Sequence, residues 1–450
     1  MTVRIFLTFV GILTVARMGF ANPAGTVCPV ILNSVIQEIV PAVPPEQVRE
    51  FISGLASDDY QIREKTQRSI YALGEKVLPQ LRRASEAVVD AEARRRLATI
   101  VQRLEFERLT TARTVTVVEP QITALDAMRK ICQRAGYRFR NDTIVEENRK
   151  RYRYNLEIRN RPFWEAMDTI CNLSGLGVQV EDDGGVRVYY QDTFSPNISY
   201  SGPFRFVANQ IQSNRFMQLS GLPRNTLPIP NYESLSINFS AYSEPKTTLI
   251  GVKGPWVLKL VDENGKNVPQ QPIDPQTSFY SPIGVKSFQQ NLALAFNRPA
   301  KEATKIKEIR AKASMMILMD VRPDIVIDQL PKSKGKKLMG RSAHIDITEV
   351  TESNGSLILG MTIVNPSGNM NDYQWLNNMM QRFEVEDAKG IKYLVNVGSS
   401  NFSSPQSVSI SLSATPPEGV KCGPPTRFTL VEWISRTQEV EFTFKDIPLP

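Results

Sequence analysis

The spacing of apolar positions divides the chain into a helical first part and a strand-rich remainder. Between residues 46 and 110 apolar side chains recur at three- and four-residue intervals, the pattern of helices with one buried stripe. Pro44-Pro45 followed by Glu46 and Gln47 predicts a helix start, because proline is tolerated in the first turn and acids there face the positive end of the dipole. Asp58-Asp59 predicts the cap of a second helix running to about Leu73, with Ile62, Thr66, Ile70 and Leu73 on one stripe and Gly74 as its stop. A third, short helix carries Val77, Leu78 and Leu81. A fourth sets Ala93, Leu97, Ile100, Val101 and Leu104 on one stripe and leaves Arg94, Arg95, Arg96 and Arg103 mostly outside it. All of these stripes are expected to face a core.

An internal repeat follows. Ala127, Met128, Ile131, Cys132 and Gly136 recur, 39 residues on, as Ala166, Met167, Ile170, Cys171 and Gly175. Each copy has an alternating strand before it (114–118 and 153–158), then an amphipathic helix, a glycine and a short strand (137–140 and 178–180). A last arm at 186–190 follows the turn Asp182-Asp183-Gly184-Gly185, so the predicted order is βαββαββ. Glycine at each helix end suits a left-handed cap that turns the chain back.

From Ser195 onward the period changes to two. Alternating runs at 235–242, 256–261, 291–296 and 313–320 predict one strand block, interrupted by proline-bearing segments at 222–230 and 268–282. Beyond a linker at 331–340, runs at 343–350, 357–364, 382–385, 392–397, 408–412, 428–433 and 439–444 predict a second, with strand density suited to an immunoglobulin-like sandwich. The expected fold class is multidomain α+β: N-terminal helical hairpins, a βαββαββ domain and two antiparallel β-sandwich domains. The expected boundaries are 1–21 for a signal peptide, 22–111 helical, 112–192 α/β, and 193–330 and 331–450 for the sandwiches.

Two stretches carry family resemblances. Leu55-Ala56-Ser57-Asp58-Asp59-Tyr60-Gln61-Ile62-Arg63, followed by Ala72-Leu73-Gly74 and Leu78-Pro79-Gln80-Leu81, resembles a HEAT repeat, with its acidic cap, an arginine one turn into the helix and a helix-ending glycine. HEAT arrays bind proteins, but an array needs about three repeats; with one and a half at most, the resemblance implies a cap or docking piece. Leu125-Asp126-Ala127-Met128, Ala135-Gly136-Tyr137, Pro162-Phe163-Trp164-Glu165-Ala166-Met167 and Ser174-Gly175-Leu176 resemble the secretin and TonB short N-terminal domain over about residues 112–192. That resemblance implies a periplasmic docking module without catalytic residues. The pore or receptor barrel that usually accompanies it is absent from this sequence, so docking is implied and secretion or uptake is not.

The first 21 residues read as an export signal: Arg4, an apolar run at 5–15, then Gly19-Phe20-Ala21, with cleavage expected after Ala21. The run is broken by Gly11 and Arg17 and falls short of the ~20 apolar residues a membrane span needs. No later segment is apolar enough to cross, so the mature chain is expected without a transmembrane segment, in the periplasm or cell envelope. Loss of Arg4 and Arg17 lowers the formal charge from +8 to +6. That surplus is diffuse, and export makes nucleic acid an improbable partner. The clusters Arg149, Lys150, Arg151, Arg153 and Lys332, Lys334, Lys336, Lys337, Arg341 are expected to be solvated loops.

Candidate chemistry is sparse. His344 is the single histidine, which excludes metal sites and catalytic arrays needing two. In Ala343-His344-Ile345-Asp346-Ile347-Thr348, alternation sends His344, Asp346 and Thr348 away from the core. No GxSxG elbow or phosphate-binding GxxxxGK[ST] pattern occurs, and no CxxC. Asp262-Glu263-Asn264-Gly265 resembles the start of a calcium loop but lacks the distal glutamate, so a turn is expected. Cys132 and Cys171, past the middle of helices expected to run antiparallel, are offset in opposite directions, which places them beyond the ~7 Å Cα limit of a disulfide and predicts two buried free thiols. Nothing supports a Cys28–Cys422 pair.

These features predict no cofactor, no metal and no enzymatic activity. The expected function is a non-enzymatic exported envelope adaptor, with envelope proteins or anionic cell-wall polymer as partners. The Asn-rich loop 368–381 supplies Tyr373 and Trp375 as candidate partner-binding residues, since aromatics give contact area at small entropy cost. The alternative is an envelope polysaccharide hydrolase with a carboxylate pair on a β-sandwich face.

Overall fold

The computed structural model describes residues 43–140, 152–191, 195–216, 232–270, 286–299, 302–353, 355–365, 379, 381–404 and 406–450. It is a multidomain, mostly β protein with several sheets. Four helices open it: α1 (Pro45–Leu55), α2 (Tyr60–Leu73), α3 (Leu78–Ala87) and α4 (Ala91–Thr110). Asp59 caps α2 by accepting from the Gln61 amide at 2.7 Å, and Asp90 caps α4 by accepting from Ala93 at 2.6 Å. Arg63 donates back to the carbonyls of Ser57 and Asp58 at 2.7 and 2.8 Å, closing the turn before its own helix. Leu55, Ile70, Leu81, Leu97, Ile100 and Leu104 form the core of this region. Ile62 departs from the expected stripe: it is exposed, and Ile70 is the one buried residue of α2.

The α/β region runs β1 (Thr114–Thr123), α5 (Ala124–Ala135), β2 (Phe139–Arg140), β3 (Arg153–Pro162), α6 (Phe163–Ser174), β4 (Leu176–Val180) and β5 (Val186–Tyr190). β1 and β3 pair antiparallel, while β2, β5 and β4 form a second sheet in which β2 and β5 are parallel. Gly136 and Gly175 end the two helices at φ 75° and 68°, the left-handed conformation that glycine adopts without a Cβ clash. Met128, Ile131, Phe163, Trp164, Met167 and Ile170 fill the interior between them.

The strand region contains β6 (Ile198–Ser201), β7 (Phe204–Phe216), β8 (Tyr232–Ser243), β9 (Leu249–Asp262), β10 (Gln289–Asn297) and β11 (Lys305–Ile327), then β12 (Lys337–Met339), β13 (His344–Ser353), β14 (Ser356–Val364), β15 (Phe383–Asp387), β16 (Leu394–Ser404), β17 (Ser407–Thr415) and β18 (Pro425–Pro448). One sheet has the order β10-β8-β7-β6 and another β16-β17-β14-β13-β12. Aside from β16, the second follows the order of the first. β9 and β15 are the outer strands of a third sheet, β15-β18-β11-β9. Each ends in a buried aspartate and the same turn: Asp262 Oδ1 accepts from Asn264 and Lys266 at 3.0 and 2.9 Å, and Asp387 Oδ1 from Lys389 and Ile391 at 2.8 and 2.9 Å. Gly265 and Gly390 hold φ of 78° and 76° at the matching position. The carboxylate at 262 is thus spent on backbone amides, as a turn requires.

β11 and β18 pair from Lys305↔Pro448 to Ile327↔Phe428, with irregularities at 318–320 and 323–325. One end of this ladder supplies Ile306, Ile309, Phe442 and Phe444 to a core shared with β7, β8 and β10. The other end supplies Ile325, Ile327, Phe428 and Leu430 to a core shared with β13, β14 and β17. Strand pairing therefore crosses the 331–340 segment: the 439–444 run packs with the strands that precede it by two hundred residues. Polar residues 435–438 separate the two apolar ends of β18 and read in sequence as a break, but ladder hydrogen bonds do not need apolar side chains, so the strand continues.

Candidate functional site

An open apolar groove lies between α1 and α3. Val48 and Ile52 of α1 and Ala56 just after it, with Ala84 and Ala87 of α3 and Val88 just after it, line this groove of about 590 Å³. Its floor is fixed by the turn between α3 and α4, where Arg94 donates through Nε and Nη2 to the Val88 carbonyl at 2.9 and 2.7 Å. Val89 at one end is 89% exposed. Arg49 and Arg83 flank the groove; Arg49 makes one exposed ion pair with Glu46 at 3.6 Å, and Arg83 makes no hydrogen bond or ion pair among the described residues. The sequence pattern assigned every apolar stripe to a core. The clue to the groove was Val88-Val89 placed directly before the Asp90 cap, where no helix stripe uses the second valine.

Two buried acids tie the α/β region to its neighbours. Glu244, fully buried after β8, accepts from the Arg113 amide at 3.0 Å and the Tyr137 hydroxyl at 2.6 Å, with Lys246 Nζ at 3.4 Å. Arg113 pairs with Glu75, Lys246 donates to the Thr111 carbonyl, and Thr247 Oγ1 donates to the Leu109 carbonyl at 2.6 Å. Burial pushes the Glu244 carboxyl above its ordinary range against the pull of Lys246, and burial lowers Lys246. Asp168 on α6 accepts from the Tyr200 hydroxyl and Arg205 Nε, both at 2.7 Å, while Trp164 Nε1 donates to the Pro203 carbonyl at 3.2 Å. Burial raises the Asp168 carboxyl although Arg205 opposes it. These contacts fix helical, α/β and first-block residues against one another. Asp168 is detectable as an acid beside the apolar residues of α6; Glu244 has no signal, because apart from Lys246 its partners Arg113 and Tyr137 come from two distant segments.

The acids nearest to a hydrolase arrangement are Glu157, Glu165 and Asp168, around a hollow of about 310 Å³ beside Tyr200. Glu157 is held by Arg159 at 3.0 Å, Glu165 by Arg161 at 3.2 Å and Asp168 as above. The hollow lies against β3 and α6, not on a sandwich face. Tyr373 and Trp375 lie outside the described residues; Met379, from the same loop, is buried. His344 opens β13 half-exposed, opposite Val364, with Ala343, Ile345 and Ile347 buried. Cys132 and Cys171 are free and buried, and burial pushes both thiols far above their ordinary range. Cys422 is free and half-buried. Among the described residues no group of three or more His, Cys, Asp or Glu is placed to hold a metal, and no helix is long and apolar enough to cross a membrane.

No protein-family model matches the chain, and no curated protein matches it. Among solved structures it is similar to the crystal structure of the conserved domain protein from Bacillus anthracis, at 11% identity and a TM-score of 0.15, over 54% of this chain and 91% of that one. A likeness that distant defines neither fold nor function.

Proposed function

We propose that the protein is a non-catalytic, exported envelope adaptor that docks another envelope protein in the groove between α1 and α3. The observation that carries this reading is the open apolar groove flanked by Arg83, which has no ion pair among the described residues, and by Arg49, whose ion pair with Glu46 is exposed. Apolar walls with cationic edges fit an amphipathic helix whose apolar face enters the groove and whose carboxylates meet the arginines. The helical region is read as HEAT-like, the α/β region as a module of the secretin and TonB short N-terminal kind, and the strand blocks as immunoglobulin-like sandwiches, an assembly of surfaces suited to docking. The leader-like first 21 residues supply the compartment. The arginine and tyrosine contacts to Glu157, Glu165 and Asp168 weaken the hydrolase alternative, since a glycosidase pair needs one acid and one base free to exchange protons.

The test places a photo-crosslinking amino acid at Val89 in the full chain in cells and sequences the attached peptide. The expected product is a segment of another envelope protein with acidic residues on one helical face, lost on Arg83→Glu. Crosslinks confined to the chain itself, to a second copy or to lipid overturn the reading.

A further inference from the structure

A second cavity, of about 690 Å³, opens where the α/β region meets the first strand block. Its lining includes Tyr189 from β5, Tyr242 from β8, Asn197, Arg205, Gln210 and Ile447. Arg205 is nearly buried, with 11% of its side chain exposed. Its Nε is committed to Asp168, and its guanidinium carbon lies 5.2 Å from the Tyr242 ring centre and 5.7 Å from that of Trp164. The two Nη groups make no hydrogen bond among the described residues, yet they are not sealed from solvent. Donors held near two aromatic rings and left open at a cavity wall are poised for an acceptor from outside.

The rest of the lining sets the kind of acceptor. The side chains of Asn197 and Gln210 make no hydrogen bond among the described residues, and each offers both a donor and an acceptor. Arg205 is the one charged residue of the lining, and Asp168 at 2.7 Å compensates its charge. An anion would therefore gain little Coulomb attraction here, while its own desolvation would stay costly. We infer that this cavity is a binding site for a neutral carbohydrate. Sugar hydroxyls or acetamido carbonyls would meet the Nη groups and the two amides, and the apolar face of a pyranose ring would lie on Tyr189 or Tyr242. The inference stands apart from the α1–α3 groove and does not depend on it.

The experiment is calorimetric titration of the full chain lacking residues 1–21 with tri-N-acetylchitotriose, cellotriose and trigalacturonate, at low salt and in 0.5 M salt. The expected result is binding of a neutral trisaccharide with a Kd below about 1 mM, unchanged by salt. Asn197→Ala plus Gln210→Ala, side chains without structural bonds, should weaken it about tenfold or more, the worth of one or two hydrogen bonds. Arg205→Lys keeps a cation for Asp168 but loses the planar donors, and should weaken it as well. Three results overturn the inference: no heat with either neutral sugar, binding of trigalacturonate alone with loss in salt, or unchanged affinity in the Asn197/Gln210 double variant.

Discussion

Phe206 of β7 and Phe442 of β18 stack with ring centres 4.4 Å apart and planes at 17°. The contact joins the start of the first strand block to a strand read from the sequence as the end of the second. Phe442 also meets Phe239 at 5.1 Å and Phe444 at 5.6 Å. Phe442→Ala should therefore cost about 3–5 kcal/mol, the usual range for a buried phenylalanine. Hydrogen exchange on that variant should show amides of β7, β8 and β10 losing protection ahead of those of β13, β14 and β17. Loss confined to the latter set would contradict the shared core.

Glu244 makes stability depend on pH in the direction opposite to a salt-bridged surface acid. Its folded carboxyl titrates above the ordinary range because it is buried. Between the ordinary value and the raised one the folded state holds more protons than the unfolded state, so stability falls as pH rises through that window and levels off above it. Glu244→Gln should flatten that part of the profile in thermal melts from pH 4 to 8. Glu244→Ala, which strands the Arg113 amide, the Tyr137 hydroxyl and Lys246, should cost about 3–5 kcal/mol.

Cys132 and Cys171 should stay reduced even in an oxidising compartment. In a background lacking Cys28 and Cys422, the folded chain should not react with a thiol reagent, and unfolding should release two reactive thiols. Recovery of none after unfolding without reductant would reveal a disulfide.

The paired turns after β9 and β15 predict matched penalties. Gly265→Ala and Gly390→Ala meet no steric obstacle within 4 Å but force alanine to positive φ, so each should cost about 1 kcal/mol in chemical denaturation. Added calcium should leave both variants and the parent unchanged, since Asp262 and Asp387 already serve backbone amides.

What the sequence disclosed was local. The 39-residue repeat placed α5 and α6 and their glycine caps, period-two runs fell within β8, β9, β10, β14 and β17, and the run at 343–350 began one residue before β13. The cap of α2 at Asp59 follows from the same short-range chemistry, and α4 has an Asp90 cap that the stripe alone did not indicate. Pairing partners stayed hidden, because alternation says which face of a strand is buried and not which strand lies beside it. β11 is legible only over its apolar middle, 313–320, because charged residues flank it, β18 is split by its polar residues 435–438, and Glu244 looks like any acid before a proline. The α1–α3 groove was invisible because an apolar residue at an open groove and one in a core obey the same spacing. Tyr373 and Trp375, the residues singled out for binding, fall where the structure describes nothing.

The β11–β18 ladder has a mechanical consequence. Two sandwiches joined by a flexible linker would swivel, and a pull on one would reach the other only after the slack was taken up. Here the hydrogen bonds between Lys305 and Ile327 on one strand and Phe428 and Pro448 on the other lie side by side across both cores. A force drawing the two blocks apart along the strands is carried by the backbones of β11 and β18, each of which runs through both cores, while the hydrogen bonds between them resist bending of the pair. The two strand blocks would then bend and turn as a single stiff strut.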